Sequence, residues 1–245
     1  MPGFTTPLEL ALAIAIVAIG AALQGSVGFG FALLSAPLLE WINPRFVPGP
    51  LVLAVTLLLL LTALRERHAI DFRGIGWILT GRVPGTVLGA LALSGLSARS
   101  LTVALGAFVL AAVGLSLLHV HLPRKPAFLV GAGLISGVMG TTAALGGPAV
   151  ALLYQHERPE LVRSTLATFF LVGALMSLPA LAFVGRLGRE EGLLALGLLP
   201  GILLGFLASG VTGRFIHGTR VRAAVLLVAG LAGAAGVIRG LFFAA

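Results

Sequence analysis

Two glycine-rich stretches interrupt apolar segments at matching places in the two halves of this chain. The first reads Gln24-Gly25-Ser26-Val27-Gly28-Phe29-Gly30 and is closed by Pro37. The second begins Ser136-Gly137-Val138-Met139-Gly140-Thr141-Thr142 and ends Gly146-Gly147-Pro148. Apolar segments that are broken by glycines in corresponding positions of two halves are the best sequence indication of a transporter binding site.

Composition places the chain in a membrane. Hydrophobic residues make up 58% of the 245 residues and charged residues 10%, against about 45–50% and 25% in soluble domains. Apolar runs at 47–64, 74–96 and 164–184 approach or exceed the ~20 residues that cross the hydrocarbon core. The ~10-residue segments of alternating polarity that a membrane barrel needs are missing. We therefore predict an all-α integral membrane protein.

The positions of glycine and proline among the apolar runs indicate the helices and a duplication of the two halves. The sequence Pro84-Gly85 with Gly89 recurs in register as Pro200-Gly201 with Gly205. We infer a first repeat at 1–122 and a second at 123–245, which together form one transmembrane domain. Each repeat is expected to have a broken opening helix or re-entrant hairpin and three transmembrane helices. Helices are predicted at 8–24, 27–41, 47–64, 74–96, 101–118, 126–136, 147–154, 164–184, 192–211 and 221–238.

Basic residues distinguish two topologies. If each repeat opens with a single crossing, the two sides carry almost equal numbers of Arg and Lys. If each opens with a hairpin that returns to its own side, ten basic residues share one side and five the other, leaving out Arg82, which obeys the positive-inside rule. This topology predicts inverted repeats in the inner (cytoplasmic) membrane with both termini outside. The richer side would carry Arg65, Arg67, Arg73, Arg124, Lys125, Arg158, Arg163, Arg214, Arg220 and Arg222.

The glycine breaks also predict a binding site. Unpaired backbone groups cost several kcal/mol in lipid, so a break at membrane depth must be buried in protein or line a wet cavity. We expect the two hairpin tips to meet near the midplane, where the returning helices present N–H groups and a positive dipole end to an anion. Glycine permits close approach, hydroxyls suit oxyanion oxygens and a phenylalanine offers an apolar wall. The predicted substrate-binding residues are Gln24, Gly25, Ser26, Gly28, Phe29, Gly30, Gly137, Gly140, Thr141, Thr142, Gly146 and Gly147.

Two polar side chains have two interpretations each. Arg82 either attracts an anion into the cavity or snorkels to the headgroups. Gln24 either bonds a substrate oxygen or caps freed backbone groups. None of the eight carboxylates falls in the interior of a predicted membrane span, so the coupling is left open between downhill anion flow, backbone-bound Na⁺ and a co-transported proton.

Several other classes of function are disfavoured. The chain has no cysteine, no G-x-S-G motif of an intramembrane serine protease and no T-V-G-Y-G potassium filter. Basic residues lie in short loops rather than in a patch, so nucleic acid is not an expected partner. We predict no enzyme activity, catalytic residue, metal or cofactor; the expected partners are a small anion and the lipid bilayer, and a homo-oligomer is left open.

The two glycine-rich segments that end in a proline, 25–37 and 137–148, resemble those of the sulfite exporter TauE/SafE family, also called 4-toluene sulfonate uptake permeases. The resemblance covers nearly the whole length. It implies a secondary transporter of small sulfur-containing anions such as sulfite, sulfonates or sulfoacetate. An anion channel or facilitator on the same hairpins is the alternative.

Overall fold

The computed structural model describes residues 5–117, 122–212 and 219–243, and every regular element in these ranges is helical. Arg214, counted above on the richer side, lies outside them. The prediction of an all-α protein is confirmed. The α-helices of the described ranges are α1 (Pro7–Val27), α2 (Phe31–Ile42), α3 (Gly49–Arg65), α4 (Phe72–Gly95), α5 (Ala98–Leu117), α6 (Pro126–Ala143), α7 (Pro148–Tyr154), α8 (Pro159–Phe183), α9 (Arg189–Thr212) and α10 (Thr219–Ile238). A 3-10 turn, Pro44–Phe46, precedes α3, and a π-helical turn, Arg239–Phe243, follows α10.

Local sequence explains where many of these helices begin. The Thr6 side chain accepts a hydrogen bond from the backbone of Glu9, and the Glu9 side chain accepts one from the backbone of Thr6, which is a capping box at the start of α1. Helices α1, α3, α6, α7 and α8 each have a proline in their first two positions, where its missing N–H costs nothing.

Seven helices in the described part of the chain are long and apolar enough to cross a membrane: α1, α4, α5, α6, α8, α9 and α10. Helices α2 and α3 are shorter, with 12 and 17 residues, and α7 has 7. The chain is therefore a multi-pass membrane protein with three short helices among its spans. The short helices α2 and α7 directly follow the two breaks.

The second break lies further along the chain than the sequence indicated. The helix predicted at 126–136 continues to Ala143, so Gly137 and Gly140 lie inside α6 and the break begins at Ala144. The reason is packing, because Gly137 lies directly against the backbone of Gly85 on α4. In the first half, α1 continues past the predicted end to Val27, and the break covers 28–30.

Glycines bring α4 onto α6 and α9 onto α1. A side chain at Gly81 or Gly85 would collide with the α6 backbone carbonyls of Val130 and Leu134, respectively. In the other half, Gly201 and Gly205 lie just as closely against α1 carbonyls. Small residues spaced four apart allow such close backbone contact between membrane helices. The repeated Pro-Gly sequence thus packs the fourth helix of each half on the opening helix of the other.

Both opening pairs of helices are hairpins that return toward their own start. In the first, Asn43 at the end of α2 donates a hydrogen bond to Glu9 in the first turn of α1, with 3.5 Å between Nδ2 and Oε2. In the second, Arg124 just before α6 forms an ion pair of 2.7 Å with Glu157, just after α7. Each pair therefore enters and leaves at one end of the bundle.

The two hairpins open toward opposite ends of the bundle. Arg163 and Arg124 share one end, because Arg163 contacts Glu66, and Arg124 contacts Asp71 at the start of α4. We call this the arginine-rich end; the base of the second hairpin lies there. The base of the first hairpin lies at the far end, together with the turn after α8, where Gly49 packs on the backbone of Arg186. This arrangement is the one that inverted repeats require, and the division at 122 and 123 stays a prediction.

Candidate functional site

One cavity in the centre of the bundle is lined by both hairpin tips. Its empty volume, including its open mouth, is about 630 Å³. Helices α3, α4, α6 and α8 complete the wall. The lining residues are Gln24, Phe29, Gly30, Phe31, Ala32, Leu33, Val52, Val55, Leu59, Arg82, Gly140, Ala144, Leu145, Gly146, Gly147, Pro148, Phe170, Ala174 and Ser177.

Arg82 is the charged residue of this lining. It lies in the middle of α4, two residues before Pro84, and its side chain is 3% exposed. Nη1 donates to the Ser136 carbonyl and hydroxyl oxygens, both at 2.7 Å. Nη2 donates to the Gly173 carbonyl at 3.1 Å and the Ser177 hydroxyl at 3.3 Å. The guanidinium therefore lies between α6 and α8 at the cavity and does not reach the headgroups.

The charge of Arg82 has no acidic partner in the described part of the chain. The ion pairs found there join Arg65, Arg124 and Arg163 to carboxylates, not Arg82. Its Nε is buried and has no hydrogen-bond partner within the described ranges. Neutral carbonyls and hydroxyls satisfy N–H groups but do not neutralise charge, and a buried charge is costly without a counter-ion. An anion in the cavity would supply the missing charge.

Glycines make room for this guanidinium. A Cβ placed on Gly140 would lie 2.7 Å from Nη2, one on Gly146 would lie 2.7 Å from Nη1, and one on Gly173 would lie 2.8 Å from Cζ. The three glycines come from α6, from the second tip and from α8. The sequence thus leaves an arginine-shaped space at the second hairpin. At Gly140 and Gly146 a side chain is therefore excluded by the guanidinium and not by an unusual backbone conformation.

The first hairpin contributes the N-terminus of α2. Gly30 precedes this helix without a side-chain cap. The N–H of Phe31 is taken by the Gln24 Oε1 at 3.3 Å. The N–H groups of Ala32 and Leu33 belong to the first helical turn, where no intrahelical carbonyl is available, and both residues line the cavity. This end of α2 therefore adds a second positive feature to the cavity of Arg82.

These features agree with what the comparison with known proteins finds. A family model described as sulfite exporter TauE/SafE matches residues 12–236, nearly the whole chain. The chain belongs to the TauE/SafE family. The resemblance noted from the glycine-rich segments is confirmed, and the protein is a multi-pass membrane protein of a family of exporters. No curated protein and no solved structure matches the chain.

The structure brings seven of the predicted site residues of this TauE/SafE protein to the cavity: Gln24, Phe29, Gly30, Arg82, Gly140, Gly146 and Gly147. Gln24 also bridges the first break, because Nε2 donates to the Gly28 carbonyl at 2.9 Å while Oε1 accepts from Phe31. These contacts favour the capping interpretation of Gln24.

The other predicted residues lie around the cavity rather than in its lining. Ser26 and Thr142 donate to carbonyls of their own helices, each at 2.7 Å. Thr141 pairs with the Ser177 hydroxyl at 3.0 Å. The contacts therefore do not favour these hydroxyls as direct ligands. Gly25 and Gly28 pack against Arg65 and Arg163, and Gly137 packs on α4.

Some lining residues had no sequence signal. Ser177, Phe170 and Ala174 come from α8, and the aliphatic wall of Val52, Val55 and Leu59 comes from α3. Only the packing of α3 on α8 brings them to the tips.

A buried carboxylate was also missed: Glu40, in the last turn of α2, is 5% exposed and accepts a hydrogen bond of 2.8 Å from Thr102.

Proposed function

We propose that the chain is a secondary carrier of small sulfur-containing anions, with the anionic group held between the two hairpin tips. The observation that carries the proposal is a buried Arg82 that has no carboxylate partner among the described residues and lines a cavity between both tips. An ionisable side chain inside a membrane bundle marks a substrate or ion pathway by default. The match to a sulfite exporter family supports a sulfur oxyanion as the cargo.

The anion would use two kinds of donor. The Arg82 guanidinium, part of the cavity lining, supplies a charge-assisted hydrogen bond, which is about twice as strong as a neutral one. The N–H groups at the start of α2 supply the others, on the pattern by which helix N-termini bind phosphate and sulfate. A sulfonate or sulfite has three oxygens, which is enough to accept from both.

The rest of the cavity supports an organic anion over an inorganic one. Phe29, Phe31 and Phe170 line it together with aliphatic residues of α3. Sulfite would leave this apolar wall without a partner, whereas the carbon part of a sulfonate would cover it. We therefore rank sulfonates first and sulfite second.

Orientation and driving force belong to the same proposal. The arginine-rich end would face the cytoplasm, which places both termini outside. A membrane potential of 100 mV, negative inside, favours exit of a monovalent anion by ~2.3 kcal/mol, so export needs no coupled ion. The same site is compatible with uptake when a cation is transported together with the anion.

Flux through proteoliposomes tests the carrier. Gly140→Leu places a side chain where the Arg82 guanidinium lies and should abolish sulfonate flux. Gly131→Leu is the matched control, because Gly131 is on the same helix and a Cβ placed on it would meet no atom within 4 Å. Thermal unfolding in detergent is the control for folding, and both variants should show a cooperative transition. Undiminished flux through the folded Gly140→Leu protein contradicts the proposal.

The same preparation separates carrier from channel. A carrier gives saturable flux that accelerates when unlabelled sulfonate is present on the opposite side. Currents of single-channel size, without counter-transport, would instead favour an anion channel on this scaffold.

A further inference from the structure

A cluster of charged residues ties the first hairpin tip to helices of both halves. Arg65, the last residue of α3, donates from Nη2 to the Gly25 carbonyl at 2.6 Å and from Nη1 to the Ser209 hydroxyl at 2.9 Å. Its guanidinium also lies 4.7 Å from the centre of the Phe206 ring. One side chain therefore holds the last turn of α1 against α3 and α9.

Glu66 extends this cluster to α8. Its carboxylate lies 3.3 Å from Arg65 Nε and 3.2 Å from Arg163 Nε. The Ser164 hydroxyl donates to the Glu66 carbonyl. Arg163 in turn lies against the break itself, since a Cβ on Gly28 would be 3.1 Å from its Cγ. We call Arg65, Glu66 and Arg163 the tip latch.

The tip latch lies at the arginine-rich end, beyond the residues that line the cavity. On α3, the cavity-lining residue nearest this end is Leu59, and on α8 it is Phe170. Arg65 and Ser164 are each six residues further toward the end, which is about 9 Å along a helix. Phe29 and Gly30 line the cavity, while Gly25 and Gly28 of the same tip contact the latch. Release of the latch would therefore free the part of the tip that covers the cavity.

The latch is also weak enough to open. The side chains of Arg65, Glu66 and Arg163 are 31%, 19% and 23% exposed, and partly exposed ion pairs contribute little net stability. Two guanidinium groups share one carboxylate, which leaves a surplus positive charge at this end. Such a surplus raises the local concentration of anions at the mouth of a pathway.

We propose that the tip latch is the gate of the cavity at the arginine-rich end. With the latch formed, the first hairpin tip blocks the path between cavity and solvent at that end. When it breaks, the tip leaves α3, α8 and α9 and the cavity opens there. This inference rests on the proposed carrier function, because a carrier must open its site to one side at a time.

Accessibility of a single cysteine tests the gate. The chain has no cysteine, so Ala174→Cys gives one thiol in the cavity lining. A charged thiol reagent that cannot cross the membrane is applied to inside-out and to right-side-out vesicles. A separate His68→Cys protein, with the thiol at an exposed position near the latch, shows which vesicles present the arginine-rich end.

Latch variants should open the cavity at that end. In the Ala174→Cys protein, Arg65→Ala and Glu66→Gln are expected to raise the labelling rate of the cavity thiol about tenfold from the arginine-rich side, as the loss of one charge-assisted hydrogen bond implies. Glu157→Gln, which breaks the ion pair of Arg124 at the same end of the bundle, should leave the rate unchanged. Ser209→Ala is a milder change that removes one partner of Arg65 and should raise the rate by a smaller factor.

The labelling rate measures access to the cavity and not transport, so the gate and the carrier can be contradicted separately. Unchanged labelling in folded Ser209→Ala and Glu66→Gln proteins would overturn the gate. An equal rise with Glu157→Gln would overturn it too, since any charge loss at that end would then suffice. Raised labelling that a sulfonate does not slow would support the gate and count against the anion site.

Discussion

The two hairpins share a sequence pattern but close their breaks in different ways. In the first, the Gln24 side chain spans the break, and Gly28 and Gly30 take left-handed backbone conformations, with φ of 92° and 113°. In the second, Ser136 spans the break by donating to the Gly146 carbonyl, and Ala144 is left-handed, with φ of 60°. The two breaks are thus bridged by different side chains, so a repeated sequence pattern does not require the two hairpins to have the same role.

The charges near the two tips differ more than the backbones. The second tip surrounds the buried Arg82, which has only neutral partners among the described residues. The first tip is held by Arg65, whose side chain is partly exposed and paired with Glu66. In the alignment of the repeats, the position of Arg82 corresponds to Leu198 in α9. In the proposed carrier, the second tip would supply the buried charge for the anion, whereas the first tip would supply helix N–H groups and carry the gate.

Arg82→Leu is the substitution with the largest expected effect, because it places at position 82 the residue that the second half has at the corresponding position. Loss of the buried charge should weaken sulfonate binding about 100-fold, given that hydrogen bonds to charged groups contribute roughly 1.5–3 kcal/mol. Isothermal titration of the detergent-solubilised protein measures the Kd. Arg124→Leu, at the base of the second hairpin, is the control and should bind normally. An unaltered Kd in the Arg82 variant would show that the anion is held elsewhere.

Much of this architecture is readable from sequence, because apolar length and glycine spacing are local properties. The paired Pro-Gly sequences are visible in the sequence, and the close contacts of Gly85 and Gly201 with opening helices explain them. The exact place of the second break is not readable, since glycines that pack a helix resemble glycines that end one. The cavity wall from α3 and α8 depends on which helices become neighbours, and no spacing in the sequence states that.

Gln24→Ala tests the first tip with an effect on stability rather than affinity. The change leaves the buried Gly28 carbonyl and the Phe31 N–H without their partner, which should lower the free energy of unfolding by about 2 kcal/mol. Ser94→Ala, which removes an exposed hydroxyl bonded to a carbonyl of its own helix, is the control and should change it by less than about 0.5 kcal/mol. Unfolding in mixed micelles measures both. If Gln24→Ala instead lost sulfonate binding at normal stability, the Gln24 amide would be a direct ligand of the anion rather than a cap of the break.

Ala144→Gly is the smallest test and concerns the second tip. A left-handed conformation costs a non-glycine residue about 1–2 kcal/mol, and glycine avoids this cost but loses about 0.4–1 kcal/mol through the greater entropy of its unfolded chain. The net expectation is a gain of about 0.5 kcal/mol in unfolding free energy, visible as a small rise in Tm. Ala143→Gly, one residue earlier and still helical, should lower stability by about 1 kcal/mol. Opposite signs at adjacent positions would place the end of α6 at Ala143, whereas a loss at both would mean that the helix continues through the break and that the second tip does not exist in the membrane.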